Sequence, residues 1–159
     1  MGVLDADMQR CVERQRLGFV ATVCADGTPN LSPKGSLAVW DDATLVFADI
    51  RSPVTVCNLI ENPAVEINVV DPMTRAGWRF KGVGRVLLSG PTFERVREFF
   101  WQRGMRLPFD HVVFVDVERA QPVRSPAYDD GTTKAELEAH WRRYAAGLES
   151  GPSEVPGLP

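Results

Sequence analysis

The chain reads as a mainly β protein of the α+β class, a small antiparallel barrel with covering helices, and three observations predict it. Short β-rich runs at Phe19–Cys24, Pro29–Ser32, Leu37–Trp40 and Leu45–Ala48 follow one another closely. Turn residues (Ala25-Asp26-Gly27-Thr28, then Asp41-Asp42) punctuate them. In 65–70, Val65, Ile67 and Val69 alternate with Glu66 and Asn68, the period-two pattern of a half-buried strand. Finally, 159 residues with 44% hydrophobic and 25% charged side chains suit one globular domain large enough to bury a core. That domain is expected to span 1–148, with 149–159 as a flexible Pro/Gly-rich tail.

Each element has a local reason. Leu4, Met8, Cys11 and Val12 form one apolar stripe, so Asp5–Leu17 is expected to be a helix, with Gly18 as its stop. Ser52-Pro53 opens a second helix that Asn62-Pro63 closes after Glu61, since Ser is a favoured N-cap and Pro suits the first helical position. Asp71–Gly77 is a polar loop. Trp78–Leu88 is a long strand in which Gly82 and Gly84 suggest bending or close backbone approach. Gly90-Pro91 starts a third helix, with Phe93, Val96 and Phe100 at helical spacing, and His111–Glu118 is the last wall strand. Thr133-Lys134-Ala135-Glu136 fits a capping box, which begins a C-terminal helix running to Leu148.

Composition narrows the function. A net charge of −3 gives no electrostatic support for a nucleic-acid partner. No segment reaches the roughly 18 apolar residues of a membrane span. The first ten residues lack the layout of a secretion signal. Cys11, Cys24 and Cys57 are odd in number and widely spaced, which argues against a disulfide framework or a zinc site and suggests a reducing cytoplasm.

Two segments carry candidate chemistry. Arg51, Ser52 and Thr55 surround a helix start where backbone N–H groups, hydroxyls and a guanidinium converge. That is a ready anion site, with a cofactor phosphate as the expected anion. Ser52 and Thr55 are three residues apart and are expected to face one ligand; the alternative is an ordinary capped helix beside an exposed arginine. In Ser32-Pro33-Lys34-Gly35-Ser36, prolines 29 and 33 are expected to stop ladder pairing and free polar groups for a ligand; the alternative is a polar loop with a solvated lysine. Arg79 and Lys81 share one strand face, opposite Trp78 and Phe80, and suit an anionic ligand, an outer wall or a dimer contact equally well. His111 reads as structural. No Ser-His-Asp set, H-E-x-x-H or G-x-G-x-x-G is present, as expected where a cofactor carries the chemistry.

Four stretches occur in order: G-F-V-A-T-V-x-x-D-G-T-P-N-L-S-P-K-G-S, F-A-D-I-R-S-P-x-T-x-x-N-L, E-N-P-A-V-E-I-N-V-V and W-R-F-K-G-x-G-R-V-L. From about Gly18 to Val123 the chain resembles the FMN-binding split-barrel superfamily, the flavoproteins related to pyridoxamine 5′-phosphate oxidase. The resemblance implies a split barrel with noncovalent FMN, one per subunit at a homodimer interface. It implies that Ser32, Lys34, Gly35 and Ser36 line the flavin, with Lys34 placing charge near the N1–C2=O edge. It assigns Ala48, Asp49 and Ile50 to the ring through backbone contacts, and Arg51, Ser52 and Thr55 to the phosphate. Trp141, on the terminal helix, would cover a flavin edge in the partner. Apolar helix faces at Phe93/Val96/Phe100 and around Trp141 are the expected dimer surface. The implied activity is an oxidoreductase acting by hydride transfer at the flavin. The alternatives are a reductase using deazaflavin F420 and a non-enzymatic flavin-binding or electron-transfer protein. A haem-binding relative would need an axial ligand, and His111 and His140 are poorly placed for it. The C-terminal Arg/Trp-rich strand segment of the vitamin B6 oxidase itself is not recognisable.

Overall fold

The structure, a computed structural model, describes residues 2–149. The expected tail lies outside them, save Glu149. The chain runs α1 (Ala6–Gln15), β1 (Gly18–Val23), β2 (Pro29–Lys34), β3 (Ala38–Val39), β4 (Thr44–Asp49), α2 (Pro53–Glu61), β5 (Ala64–Asp71), β6 (Ala76–Leu87), α3 (Pro91–Gln102), β7 (His111–Arg124), a single 3₁₀ turn (Pro126–Tyr128) and α4 (Lys134–Glu149). The strands form one seven-stranded sheet in the order β2-β1-β5-β6-β7-β4-β3, with every pairing antiparallel. It curls into a half-barrel, and the two ends of the sheet come together where Ser36 crosses to β4. There the Ser36 hydroxyl accepts from the Ala48 N–H and donates to the Ala48 carbonyl, each at 3.0 Å.

Strand alternation builds the core. Val20, Ile67, Val69, Phe80, Leu45, Phe47, Val113 and Val115 point into the barrel and are fully buried. Burying each such side chain stabilises the fold by about 1.5–3 kcal/mol. The opposite face of β4 and β7 (Val46, Ala48, Val112, Phe114) is covered by Phe93, Val96 and Phe100 of α3. Those three α3 residues are therefore core within one chain, and the expectation that they form a dimer surface is corrected.

Several boundaries differ from the sequence expectation. Asp5 caps α1 through its carboxylate, and the helix ends at Arg16, which adopts the left-handed conformation at φ 50°. Gly18 instead begins β1. The prolines of β2 do not interrupt pairing: the ladder is continuous from Gly18↔Lys34 to Val23↔Pro29. β2 is an edge strand, so the positions without an N–H lie on its unpaired side, where no bond is lost. β7 extends six residues beyond Glu118, to Arg124, because β6 pairs along its length. At Gly82 the β6–β7 register shifts, and a Cβ there would lie 2.0 Å from the Asp116 carbonyl oxygen. The close approach expected of that glycine is thus present. Thr133 and Glu136 form the expected capping box on α4.

Candidate functional site

A cleft of about 290 Å³ opens where β2 ends beside the exit of β4. Ser32, Pro33, Lys34, Gly35 and Ser36 line one side; Ala48, Ile50, Arg51 and Ser52 line the other. These segments are far apart in sequence, yet the curl of the sheet brings together eight of the predicted site residues. A Cβ built on Gly35 meets nothing within 4 Å, so the cleft is open at that point.

Lys34 is the centre of the site. Its position opposite Gly18 turns it inward, where it is only 4% exposed, with Nζ 5.6 Å from the centre of the Phe47 ring. The ammonium donates to Ser32 Oγ at 2.8 Å and to Ser52 Oγ. Ser52 in turn donates to Asp49 Oδ1 from its hydroxyl at 2.5 Å and from its N–H at 2.9 Å. Burial pushes the Lys34 ammonium below the usual lysine range, and the nearby Asp49 carboxylate opposes that shift. Asp49 is buried and sits opposite His111 in the β4–β7 ladder, with Oδ2 3.6 Å from His111 Nδ1. The ladder makes His111 a neighbour of the site, a relation that sequence spacing could not reveal.

Ser52 occupies the N-cap position of α2, but its hydroxyl makes no cap bond because Asp49 and Lys34 engage it. The helix start therefore lacks a side-chain cap, which leaves its positive end for an exogenous anion. Arg51 is exposed on the rim and makes no ion pair among the described residues.

Thr55 does not join Ser52 on a common surface. It is 1% exposed, and its Oγ1 accepts from Asn30 Nδ2 at 3.3 Å. Asn30 also donates to Thr22 Oγ1 at 3.1 Å, and Asn58 donates to the same oxygen at 3.0 Å. A polar seam thus joins α2 to β1 and β2, and Thr55 belongs to it. Arg79 and Lys81 lie on the outer face of β6, with Phe80 between them turned into the core. They pair with Glu66 at 3.2 and 3.4 Å, and Arg79 also donates to Gln121 at 2.9 Å. The structure does not bring them to the Lys34 cleft. Trp141 packs under the Arg75 guanidinium, 3.6 Å from its ring centre, and does not line the cleft. Among the described residues no group of His, Cys, Asp or Glu could hold a metal ion, and no helix is long and apolar enough to cross a membrane.

The pyridoxamine 5′-phosphate oxidase family matches residues 4–129, and the chain belongs to that family. No curated protein matches it. Among solved structures it is similar to HupZ of Group A Streptococcus, with 31% identity over 77% of this chain and 95% of that one, at a TM-score of 0.70. It is also similar to an FMN-binding protein of Syntrophomonas wolfei, with 16% identity over 75% and 85% of the two chains and a TM-score of 0.62. A third likeness is to an F420 reductase, with 22% identity over 74% and 98% and a TM-score of 0.59. The last two carry the fold alone.

Proposed function

We propose that this chain is an FMN-binding flavoprotein of the family, acting as an oxidoreductase, with the cofactor's phosphate and polar edge held in the Lys34–Ser52 cleft. The observation that carries this reading is the donor set. A buried ammonium, an unpaired guanidinium and an uncapped helix start face one opening, and together they suit a phosphate and an electron-rich ring edge. A bound flavin would supply hydride transfer. The chain's own part is to grip the phosphate with Arg51 and the first turn of α2. Lys34 holds positive charge beside the cofactor, and the Ser36–Ala48 bonds keep the wall in place. The cleft volume lies near the lower end of the about 300–1,000 Å³ usual for small-molecule sites, so a flavin would extend beyond it.

A second subunit would cover that excess. The outer face of β1 and β2 exposes Phe19 (46%) and Leu31 (64%), a better dimer surface than α3. Beside Phe19 in the ladder, Asn68 Oδ1 is buried with no partner among the described residues, and a donor from a second chain would satisfy it. A homodimer is the resulting picture.

The test is titration of the purified chain with FMN and with F420, followed by absorbance and fluorescence. Saturable FMN binding, with bleaching by a nicotinamide nucleotide and recovery in oxygen, supports the oxidoreductase. Tight F420 binding without FMN retention moves the function to an F420 reductase. Light scattering at the mass of one 17.6 kDa chain would overturn the dimer.

A further inference from the structure

We propose that Lys34 is a nucleophilic amine that captures small aldehydes carrying an anionic group, forming an imine in the cleft. Its surroundings supply what such a reaction requires. Lys34 Nζ donates to Ser52 Oγ, and Ser52 Oγ donates to Asp49 Oδ1 at 2.5 Å, so a proton leaving the amine has a hydrogen-bonded route to a carboxylate. The other oxygen of that carboxylate lies 3.6 Å from Nδ1 of His111, whose side chain is 33% exposed, so the carboxylate borders a partly solvated ring. An amine backed by a base through a bridging hydroxyl is the arrangement of an activated nucleophile. The low exposure of Lys34 works against its positive charge, while the Phe47 ring and the Asp49 carboxylate favour the ammonium, so a reactive amine depends on the proton route to Asp49. Arg51, on the rim of the same cleft, offers a charge-assisted bond to an anionic substituent.

The atoms balance without an external oxidant or reductant. The proton of Lys34 passes through Ser52 to Asp49. The free amine attacks the carbonyl carbon, forming the N–C bond as the C=O π pair moves to oxygen. The attacking nitrogen gives up one proton as that oxygen takes one up, giving a neutral carbinolamine. The nitrogen lone pair then expels the hydroxyl as water, with the proton returned from Asp49, and the resulting iminium has lost one oxygen and gained a C=N bond.

This inference shares its cleft with the flavin reading but does not require a flavin, and the experiment separates the two. The full chain without cofactor is incubated at pH 7 with glycolaldehyde phosphate or glycolaldehyde and sodium cyanoborohydride, and adducts are mapped by peptide mass. The chain has three lysines, and the exposed Lys81 and Lys134 are internal standards. A positioned base contributes about 100-fold or more to such a proton transfer, so Lys34 should label at least about tenfold faster than either. The phosphorylated aldehyde should outpace the plain one. Asp49→Asn removes a carboxylate that favours the ammonium, which alone would speed labelling, so a Lys34 slowed about tenfold with Lys81 and Lys134 unchanged reports the lost proton route. Ser52→Ala, which breaks the route at its bridging hydroxyl, provides the same comparison should Asp49→Asn fail to fold. If Lys34 labels no faster than the standards, or if neither variant slows it, the proposal is overturned. Saturating FMN should protect Lys34 under the flavin reading; Lys34 that labels equally fast with FMN present supports the imine chemistry and counts against FMN in this cleft.

Discussion

β4 divides two kinds of environment within six residues. On its α3 side, Val46 and Ala48 pack against Phe93, Val96 and Phe100, and further out the aromatic rings of Trp40, Phe99 and Phe114 meet edge to face. At its exit, Asp49, Ser52 and Lys34 are also largely withdrawn from water, but hydrogen bonds hold them rather than packing. In the α3 flank a loss of volume costs the lost burial plus whatever cavity is left behind. The exit tolerates no loss of a partner, because each polar group depends on the next. Stability therefore resides mainly in the flank, and ligand chemistry in the exit.

The largest expected effect tests the flank. Phe100→Ala removes a 3%-exposed ring and should cost roughly 3–5 kcal/mol in urea unfolding, with the ratio of FMN to riboflavin affinity unchanged. A change in that ratio would show that the flank shapes the site as well. Next comes Arg51→Ala, which removes a charge-assisted bond worth roughly 1.5–3 kcal/mol. FMN binding should weaken about tenfold to a hundredfold. Riboflavin lacks the phosphate and should respond little; equal losses for both ligands would remove Arg51 from phosphate recognition.

Thr55→Ala sharpens the boundary between seam and cleft. Asn30 would lose one acceptor but keep Thr22, so the expected cost is about 1 kcal/mol of stability with unchanged FMN affinity. A selective loss of FMN would return Thr55 to the phosphate site. The smallest effect belongs to the surface pair Arg85–Asp116, whose two bonds are 2.6 and 3.0 Å. The hydrogen bond from Arg85 holds the Asp116 carboxyl below its ordinary range. A depressed carboxylate pKa contributes stability above the unfolded value of about 3.9, and that stability is lost as pH falls through the folded value. Both groups are largely solvated, so Arg85→Ala should cost no more than about 1 kcal/mol at pH 7, and less at pH 3. A larger loss at pH 3 than at pH 7 would contradict this sign.

Most of the cleft was legible because its two halves are contiguous runs. Ser32–Ser36 and Ala48–Ser52 each carry hydroxyl and cationic side chains beside a strand end, and turn and cap chemistry places those ends locally. Thr55 was misplaced because helical spacing names a neighbour but not which side of α2 faces β2. Arg79 and Lys81 were correctly placed on one face, but alternation alone does not say which face is the interior. The site's link to His111 was invisible, since a cross-strand neighbour 62 positions from Asp49 leaves no mark in either local sequence.

The sequence by itself determined the elements and their polarity: period-two runs, the Asp5 and Thr133 caps, the Ser52-Pro53 helix start and the prolines of β2 are all short-range physics. Tertiary structure decided how those pieces face one another. The curl that brings β2 to β4 makes a cleft from two separate motifs. The ladder sets His111 behind Asp49, and α3 closes over β4 so that Phe93, Val96 and Phe100 become core. Those outcomes depend on which strands pair and which face turns inward. Both are settled by the burial of the whole apolar set at once, which no local window contains.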